Sequence, residues 1–189
     1  GQFHSLISDL PVEKLHDTLE GFHITPRYLA HYDEVLAGNG YKPSPEVHYA
    51  LNFVAQRRRW AAVLEDAVAR GELTPHPIHG DPKVDNVMID DDTGQAVSLI
   101  DLDTLKPGLV HYDIGDCLRS CCNPLGEETD AFDEVKFETD LCAAILKGYL
   151  SQARHFLNGK DYEHIYNAVR LIAFELGLRF FTDYLEGNV

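Results

Sequence analysis

HGDPKVDN at residues 79–86 and SLIDLD at residues 98–103 are the most informative segments of this chain. A short apolar run and an acidic DDDTG turn at residues 90–94 separate them. Apolar runs on both sides of turn-forming residues predict a β-hairpin. This hairpin would bring Asn86, at its start, beside Asp101, at its end.

The polar residues of these segments suit phosphoryl transfer. A carboxylate can accept the proton of an attacking hydroxyl. Mg²⁺ prefers oxygen ligands, of which the protein often supplies one or two while phosphates and water supply the rest. We therefore predict that Asp81 is the catalytic base and that Asn86 and Asp101 are Mg²⁺ ligands, with capping and turn hydrogen bonds as the alternative. Asp103 is expected either to support the metal ligands or to cap its loop, and the sequence leaves both open.

Composition limits the class of protein. The chain has 189 residues, 44% hydrophobic and 25% charged, which is typical of a globular domain or part of one. Its 16 Lys and Arg against 31 Asp and Glu give a formal charge of -15, which argues against nucleic-acid partners and anionic membranes. No apolar run could span a bilayer, and the four cysteines lack metal-site spacing. We expect a cytoplasmic protein with reduced thiols.

Most of the chain is predicted to be helical. Thr25 and Ser44 each precede a proline, the pattern of an N-cap with proline at the first helical position. The helix after Ser44 is predicted to run without a break to Gly71. Two long helices are predicted at residues 128–157 and 161–186. The second is predicted to bury an apolar stripe formed by Ile165, Val169, Ile172, Leu176 and Phe180.

Several motifs together resemble the aminoglycoside phosphotransferase and choline kinase superfamily. These are HGDxxxxN at residues 79–86, IDLD at residues 100–103 and DIG at residues 113–115. The strings PGLVHYD at residues 107–113 and LRFFTDY at residues 178–184 are most similar to its N-acetylhexosamine 1-kinase branch. The superfamily has a protein-kinase-like fold, and the resemblance covers most of the chain as the larger, C-terminal lobe.

The resemblance implies a fold and an activity. The implied fold class is α+β and mainly helical, a single domain over residues 1–189 with a small β-hairpin that carries the catalytic and metal-binding loops. The implied activity is ATP- and Mg²⁺-dependent transfer of the γ-phosphoryl group to a hydroxyl of a small molecule, for which the branch suggests an N-acetylhexosamine. Lys83 is implied to neutralise the transferred group, with a merely exposed lysine as the alternative. His79 and Asp113 are implied to support the catalytic loop.

Three further residues are candidates for binding the acceptor. Arg179 is implied to face the acceptor site, where its planar donors suit sugar oxygens. A surface ion pair with Glu175 or Asp183, each four residues away, is the alternative. His111 and Tyr112 are candidates for the same pocket.

The nucleotide-binding parts of a kinase are not recognisable in this sequence. Kinases cover ATP with a glycine-rich loop and hold its phosphates with a strand lysine, both supplied by a small N-terminal lobe. The chain contains no GxGxxG motif, and its first 70 residues are predicted to be helical. We therefore expect a C-terminal lobe alone, with the nucleotide-binding lobe preceding Gly1, and no kinase turnover by the isolated chain.

Two other functions are compatible with the sequence. An aminoglycoside or other amino-alcohol kinase would suit the charge of -15, because its acceptors are cationic. A non-catalytic kinase-like binding module belongs to another class, but such a module has no need to retain Asp81, Asn86 and Asp101 together. The exact acceptor, the phosphorylated position and the oligomeric state stay open.

Overall fold

A computed structural model of the chain describes residues 1–38 and 40–188. In chain order the helices are α1 (Gln2–Ile7), α2 (Thr25–Gly38), α3 (Pro45–Arg57), α4 (Val63–Ala69), α5 (Val110–Cys121), α6 (Thr139–Ala153) and α7 (Gly159–Glu186). The strands are β1 (His76–Ile78), β2 (Val87–Ile89), β3 (Ala96–Leu99) and β4 (Lys106–Gly108). The fold is α+β and mainly helical, which confirms the predicted class. Within the described ranges, no helix has both the length and the apolarity to cross a membrane.

The four strands form two small antiparallel sheets. β2 pairs with β3, which confirms the predicted hairpin. β1 pairs with β4, with Pro77 opposite Pro107, a pairing that the sequence did not indicate because prolines supply no N–H to a ladder. Residues 79–86 connect β1 to β2, and residues 100–105 connect β3 to β4. Each of the two polar segments therefore connects one sheet to the other.

The predicted helix after Ser44 begins as expected but is not continuous. The Ser44 hydroxyl oxygen accepts a hydrogen bond from the backbone N–H of Val47 at 3.2 Å. The prediction of one helix to Gly71 is wrong, because a 3₁₀ turn at Arg58–Trp60 separates α3 from α4. The change of direction lets α4 bury Leu64 completely in the core.

The predicted helix at residues 128–157 is also wrong in its first third. Residues 122–138 contain only a 3₁₀ turn at Phe132–Glu134, and α6 begins at Thr139. Pro124 and Gly126 disfavour helix at the start of this segment. Its large apolar side chains do not enter the core, since Phe132 is 76% exposed.

α7 contributes apolar side chains both to the core and to an open cleft, and the predicted stripe takes part in both. The helix begins with a capping box, in which Asp161 accepts from the Asn158 N–H at 2.7 Å. Its core face is formed by Ala168, Leu171, Phe174, Leu178 and Leu185. In the predicted stripe Ile165 and Ile172 are buried, as expected, but Phe180 is 63% exposed. The stripe borders an open cleft, and the prediction that Phe180 is buried is wrong.

The packing of α5 against α7 requires a glycine. A Cβ atom at Gly115 would lie 2.8 Å from the carbonyl oxygen of Ala168 and 2.8 Å from Cγ1 of Ile172. We expect Gly115→Ala to lower the free energy of unfolding in urea by about 1–3 kcal/mol, because backbone cannot yield cheaply in a packed core. Gly177→Ala in α7 is the control: a Cβ there meets nothing within 4 Å, and the change should stabilise by about 0.5–1 kcal/mol. Equal stability of both variants would contradict the packing.

Candidate active site

Asp81 lies in the loop between β1 and β2, and hydrogen bonds fix its backbone. Its N–H donates to Nδ1 of His79 at 3.2 Å, and its carbonyl accepts from the amide nitrogen of Asn86 at 2.7 Å. Its Oδ2 lies 3.3 Å from the same amide nitrogen and 3.3 Å from Nζ of Lys83. The side chain is 27% exposed, so a hydroxyl group can reach the carboxylate from the solvent side.

Lys83 lies beside the candidate base as its cationic partner. The charge of Asp81 raises the pKa of Lys83, and the hydrogen bond between them adds to the shift. The lysine therefore stays protonated at neutral pH.

Asp113 holds the backbone immediately before Asp81. Its Oδ1 accepts from the N–H of Gly80 at 2.8 Å, and its Oδ2 accepts from the N–H of His79 and from Nε2 of His4, each at 2.7 Å. Burial alone would raise the pKa of Asp113, but the hydrogen bond and charge of His4 and the two N–H groups lower it overall. An ionised, buried and fully partnered carboxylate can brace the loop in the way that the resemblance implies.

Gly80 and His79 tie the loop to the segment after β3. Gly80 has φ +91°, and a Cβ atom there would lie 2.6 Å from the carbonyl oxygen of Thr104. The Thr104 hydroxyl donates to the His79 carbonyl at 2.7 Å. The buried His79 ring donates through Nε2 to the Ile100 carbonyl at 2.9 Å. The close approach and the positive φ together require glycine at this position.

The hairpin brings the two candidate metal ligands to one end of the sheet. The Ile100 N–H donates to the Asn86 carbonyl at 2.9 Å, which places Asp101 next to Asn86 along the edge. Asp101 has φ +62° and ψ +61°, a left-handed conformation that is uncommon for residues other than glycine. Backbone strain of this kind is found preferentially at functional sites.

Asn86 and Asp101 supply the kind of donors that Mg²⁺ prefers. The Asn86 amide nitrogen is bound to Asp81, which directs the amide oxygen elsewhere, and Asp101 is exposed. Two oxygen ligands from the protein, with phosphate and water oxygens as the remaining ligands, are typical of Mg²⁺ bound with a nucleotide. In the part of the chain that the structure describes, no three His, Cys, Asp or Glu side chains gather as a metal site. Asp103 is exposed, and its carbonyl accepts from the Thr18 hydroxyl at 3.1 Å.

An open cleft of about 1330 Å³ lies beside Asp81, between the polar loops, α5 and α7. Its charged lining is balanced, with five carboxylates and five Lys or Arg side chains. These are Asp81, Asp116, Glu127, Glu128 and Glu175, and Lys83, Arg119, Lys136, Arg170 and Arg179. Exposed aromatic side chains of α7, including Tyr166 and Phe180, also line it. The cleft is therefore close to neutral in a protein whose formal charge is -15.

Of the candidate acceptor residues, the structure brings only Arg179 to the cleft. Its guanidinium carbon lies 5.3 Å from the ring centre of Tyr28 and 5.5 Å from that of Phe22. Within the described residues it forms no ion pair with Glu175 or Asp183, which was the alternative. The guanidinium is thus held by aromatic faces with donors left for a ligand.

His111 and Tyr112 do not reach the cleft, and their prediction as acceptor residues is corrected. Both are buried. Nε2 of His111 donates to the Asp161 carbonyl at 2.9 Å, and the Tyr112 hydroxyl donates to Glu65 at 2.8 Å. Their place in the first turn of α5 directs them into the helical core, which a local sequence string does not reveal.

Three further polar residues that line the cleft are buried. Oδ1 of Asp116 accepts two hydrogen bonds from Arg119, at 2.7 and 3.1 Å, whereas its Oδ2 is buried without a hydrogen-bond partner among the described residues. Burial raises the pKa of Asp116. His23 and Glu175 form a buried pair. The position of Asp116, one turn after Asp113 on α5, is the only sequence feature that could have indicated its place in the site. His23 and Glu175 are 152 residues apart, so the sequence gave no indication that they are paired.

Asp81 beside an open cleft, with Asn86 and Asp101 at the end of the adjoining hairpin, is an arrangement expected of a phosphotransferase. The family model APH, described as the phosphotransferase enzyme family, matches residues 2–148. The chain belongs to this family, which confirms the predicted superfamily. The matched range includes Asp81, Asn86 and Asp101, whereas α7 and Arg179 lie beyond it.

Proposed function

We propose that the protein transfers the γ-phosphoryl group of ATP, bound with Mg²⁺, to a hydroxyl of an N-acetylhexosamine, as a sugar 1-kinase. The observation that carries the proposal is the accessible carboxylate of Asp81, which adjoins the cleft, while the backbone carbonyl of the same residue is hydrogen bonded to Asn86. The described residues contain no glycine-rich strand pair, so in this proposal another lobe covers the nucleotide. The isolated chain is accordingly expected to show no turnover.

Each residue has a definite part in the proposed reaction. Asp81 orients the acceptor hydroxyl and takes its proton as the oxygen attacks phosphorus. Asn86 and Asp101 hold Mg²⁺, which when bound supplies positive charge to the phosphate oxygens. Lys83 adds a fixed charge next to the reacting hydroxyl. A loose transition state needs little more than this alignment and neutralisation.

The charge balance of the cleft favours a neutral acceptor over a polycation. An aminoglycoside would meet five Lys or Arg side chains as well as five carboxylates. The surplus of acidic residues in the chain therefore lies outside the cleft, and it gives no support to an amino-alcohol acceptor. A neutral sugar can use both donors and acceptors of such a lining, and its apolar face can lie against the exposed rings of α7.

Asp116 is expected to accept a hydrogen bond from the acceptor. Leaving a buried carboxylate oxygen without a partner costs free energy that a ligand hydroxyl can recover. In the active enzyme, Asp116→Asn should raise KM for the acceptor about 10- to 100-fold, as expected for a hydrogen bond to a charged group. KM for ATP should not change. Glu128→Gln, at an exposed position of the cleft, is the matched control; an equal rise of KM in that variant would contradict the role.

A panel of acceptors tests the proposed specificity. The full-length enzyme should phosphorylate N-acetylglucosamine or N-acetylgalactosamine at the anomeric hydroxyl, and the corresponding 1-deoxy sugars should not react. Phosphorylation of kanamycin but of neither N-acetylhexosamine would replace the proposal with the amino-alcohol alternative.

A further inference from the structure

His23 makes two hydrogen bonds, one through each ring nitrogen. Nδ1 lies 3.0 Å from Oε1 of Glu175, and Nε2 lies 2.8 Å from the Gly80 carbonyl oxygen. Carbonyl and ionised carboxylate oxygens only accept hydrogen bonds. The Gly80 carbonyl therefore accepts from Nε2, and an ionised Glu175 requires Nδ1 to carry a proton as well, which makes the two side chains an ion pair.

The pair is enclosed and completed by other groups. His23 is 4% exposed and Glu175 is 1% exposed. The hydroxyl of Thr25 donates to Oε2 of Glu175 at 2.7 Å, so both carboxylate oxygens have partners. A buried ion pair is tolerated where its remaining hydrogen-bonding groups are satisfied in this way. His23 also has φ +66°, a strained conformation that the surrounding contacts maintain.

The pair connects α7 to the peptide before the candidate base. His23 holds the carbonyl of Gly80, while Asp113 holds its N–H, so both hydrogen-bonding groups of that residue are fixed. Glu175 lies one helical turn before Arg179, and both line the cleft. We propose that His23 and Glu175 are a charged positioning pair that fixes the Gly80–Asp81 peptide relative to the acceptor side of the cleft. This inference rests on the proposed function for its catalytic consequence but not for the charge state.

The groups around His23 define the expected effect of pH. Facing the ring are Glu175 from α7, Asp116 and Tyr112 from α5, and the loop carbonyl of Gly80. Burial alone would lower the pKa of His23, but these acceptors and carboxylates raise it overall. The charge on His23, and with it the ion pair, is therefore lost as pH rises through the raised pKa. Catalysis should fall on the alkaline side for this reason.

The charge of His23 can be measured directly by ¹⁵N NMR of the histidine rings of the protein at neutral pH. We expect both ring nitrogens of His23 to be protonated. His111 is the internal control, because it is also buried, burial lowers its pKa, and its Nδ1 has no partner in the described part. Its ring should be neutral with one protonated nitrogen. A neutral His23 ring would overturn the ion pair whether or not the enzyme is a kinase.

Kinetics of the active enzyme test the positioning role. His23→Gln and Glu175→Gln should each lower kcat about 10- to 100-fold, as small displacements of catalytic groups do. KM for ATP should stay constant, and the alkaline fall of kcat should disappear. His48→Gln, on the exposed side of α3, should leave both unchanged. If His23→Gln does not fold, the kinetics of Glu175→Gln and the NMR measurement together test the positioning role. Wild-type kcat and pH dependence in the folded variants would overturn the positioning role, whereas absence of transfer by the wild type would overturn the proposed function.

Discussion

Asp81→Asn in the full-length enzyme lowers kcat by about 10²- to 10⁴-fold, the usual contribution of a general base. The amide keeps the size of the side chain and can still accept a hydrogen bond, but it cannot take the proton of the acceptor hydroxyl. KM for ATP and the unfolding temperature should change little, because the loop backbone is held by His79, Asn86 and Asp113 and not by the Asp81 carboxylate.

Asp85→Asn is the matched control for this experiment. Asp85 belongs to the same loop and carries the same charge, but it is exposed. Its variant should retain kcat within about twofold, as surface changes away from a site usually do. Equal turnover of Asp81→Asn and wild type would remove the proposed base and would favour the non-catalytic binding module.

Asp113→Asn is expected to have the largest effect on stability, a loss of about 3–5 kcal/mol, as when one partner is removed from a buried charged network. His4, His79 and Gly80 each donate a hydrogen bond to the carboxylate. The NH₂ group of the new amide would face at least one of these donors, and that hydrogen bond would be lost. Urea unfolding of the variant and of Asp85→Asn, which should keep wild-type stability, measures the difference. Loss of less than about 1 kcal/mol would contradict the bracing role.

The pH dependence of stability gives this prediction a second readout. The folded-state pKa of Asp113 is lowered, so its ionised form stabilises the protein above the pKa of the unfolded chain. This contribution is lost as pH falls through the folded-state value. Wild type should therefore lose stability in acid more steeply than Asp113→Asn, and parallel curves for the two proteins would argue against an ionised Asp113.

The sequence predicts those parts of the site that are close together along the chain. The hairpin, the Asp81 loop and the pairing of Asn86 with the segment before Asp101 depend on turn-forming residues and strand register over about two dozen positions. The structure places them together. The split of the predicted helix after Ser44 and the non-helical segment before Thr139 arise from packing that these local signals do not contain.

Contacts between segments that are far apart along the chain could not be predicted from the sequence. Helical periodicity identified the apolar stripe of α7, but periodicity does not distinguish a core face from a cleft face, and Phe180 proved exposed. The buried position of His111 depends on the carbonyl of Asp161, 50 residues away. The His23–Glu175 pair likewise appears only when α7 is placed against the loop that contains Gly80.

In the proposed reaction, the cleft beside Asp81 binds a sugar whose hydroxyl accepts the phosphoryl group. The most direct test of this proposal is to follow γ-labelled phosphate from ATP to N-acetylglucosamine or N-acetylgalactosamine with the full-length enzyme and Mg²⁺, and to locate the phosphate by ³¹P NMR. We predict label at the anomeric oxygen with the wild type and none above background with Asp81→Asn. Equal labelling by both proteins, or no labelling of either sugar by the wild type, would contradict the account.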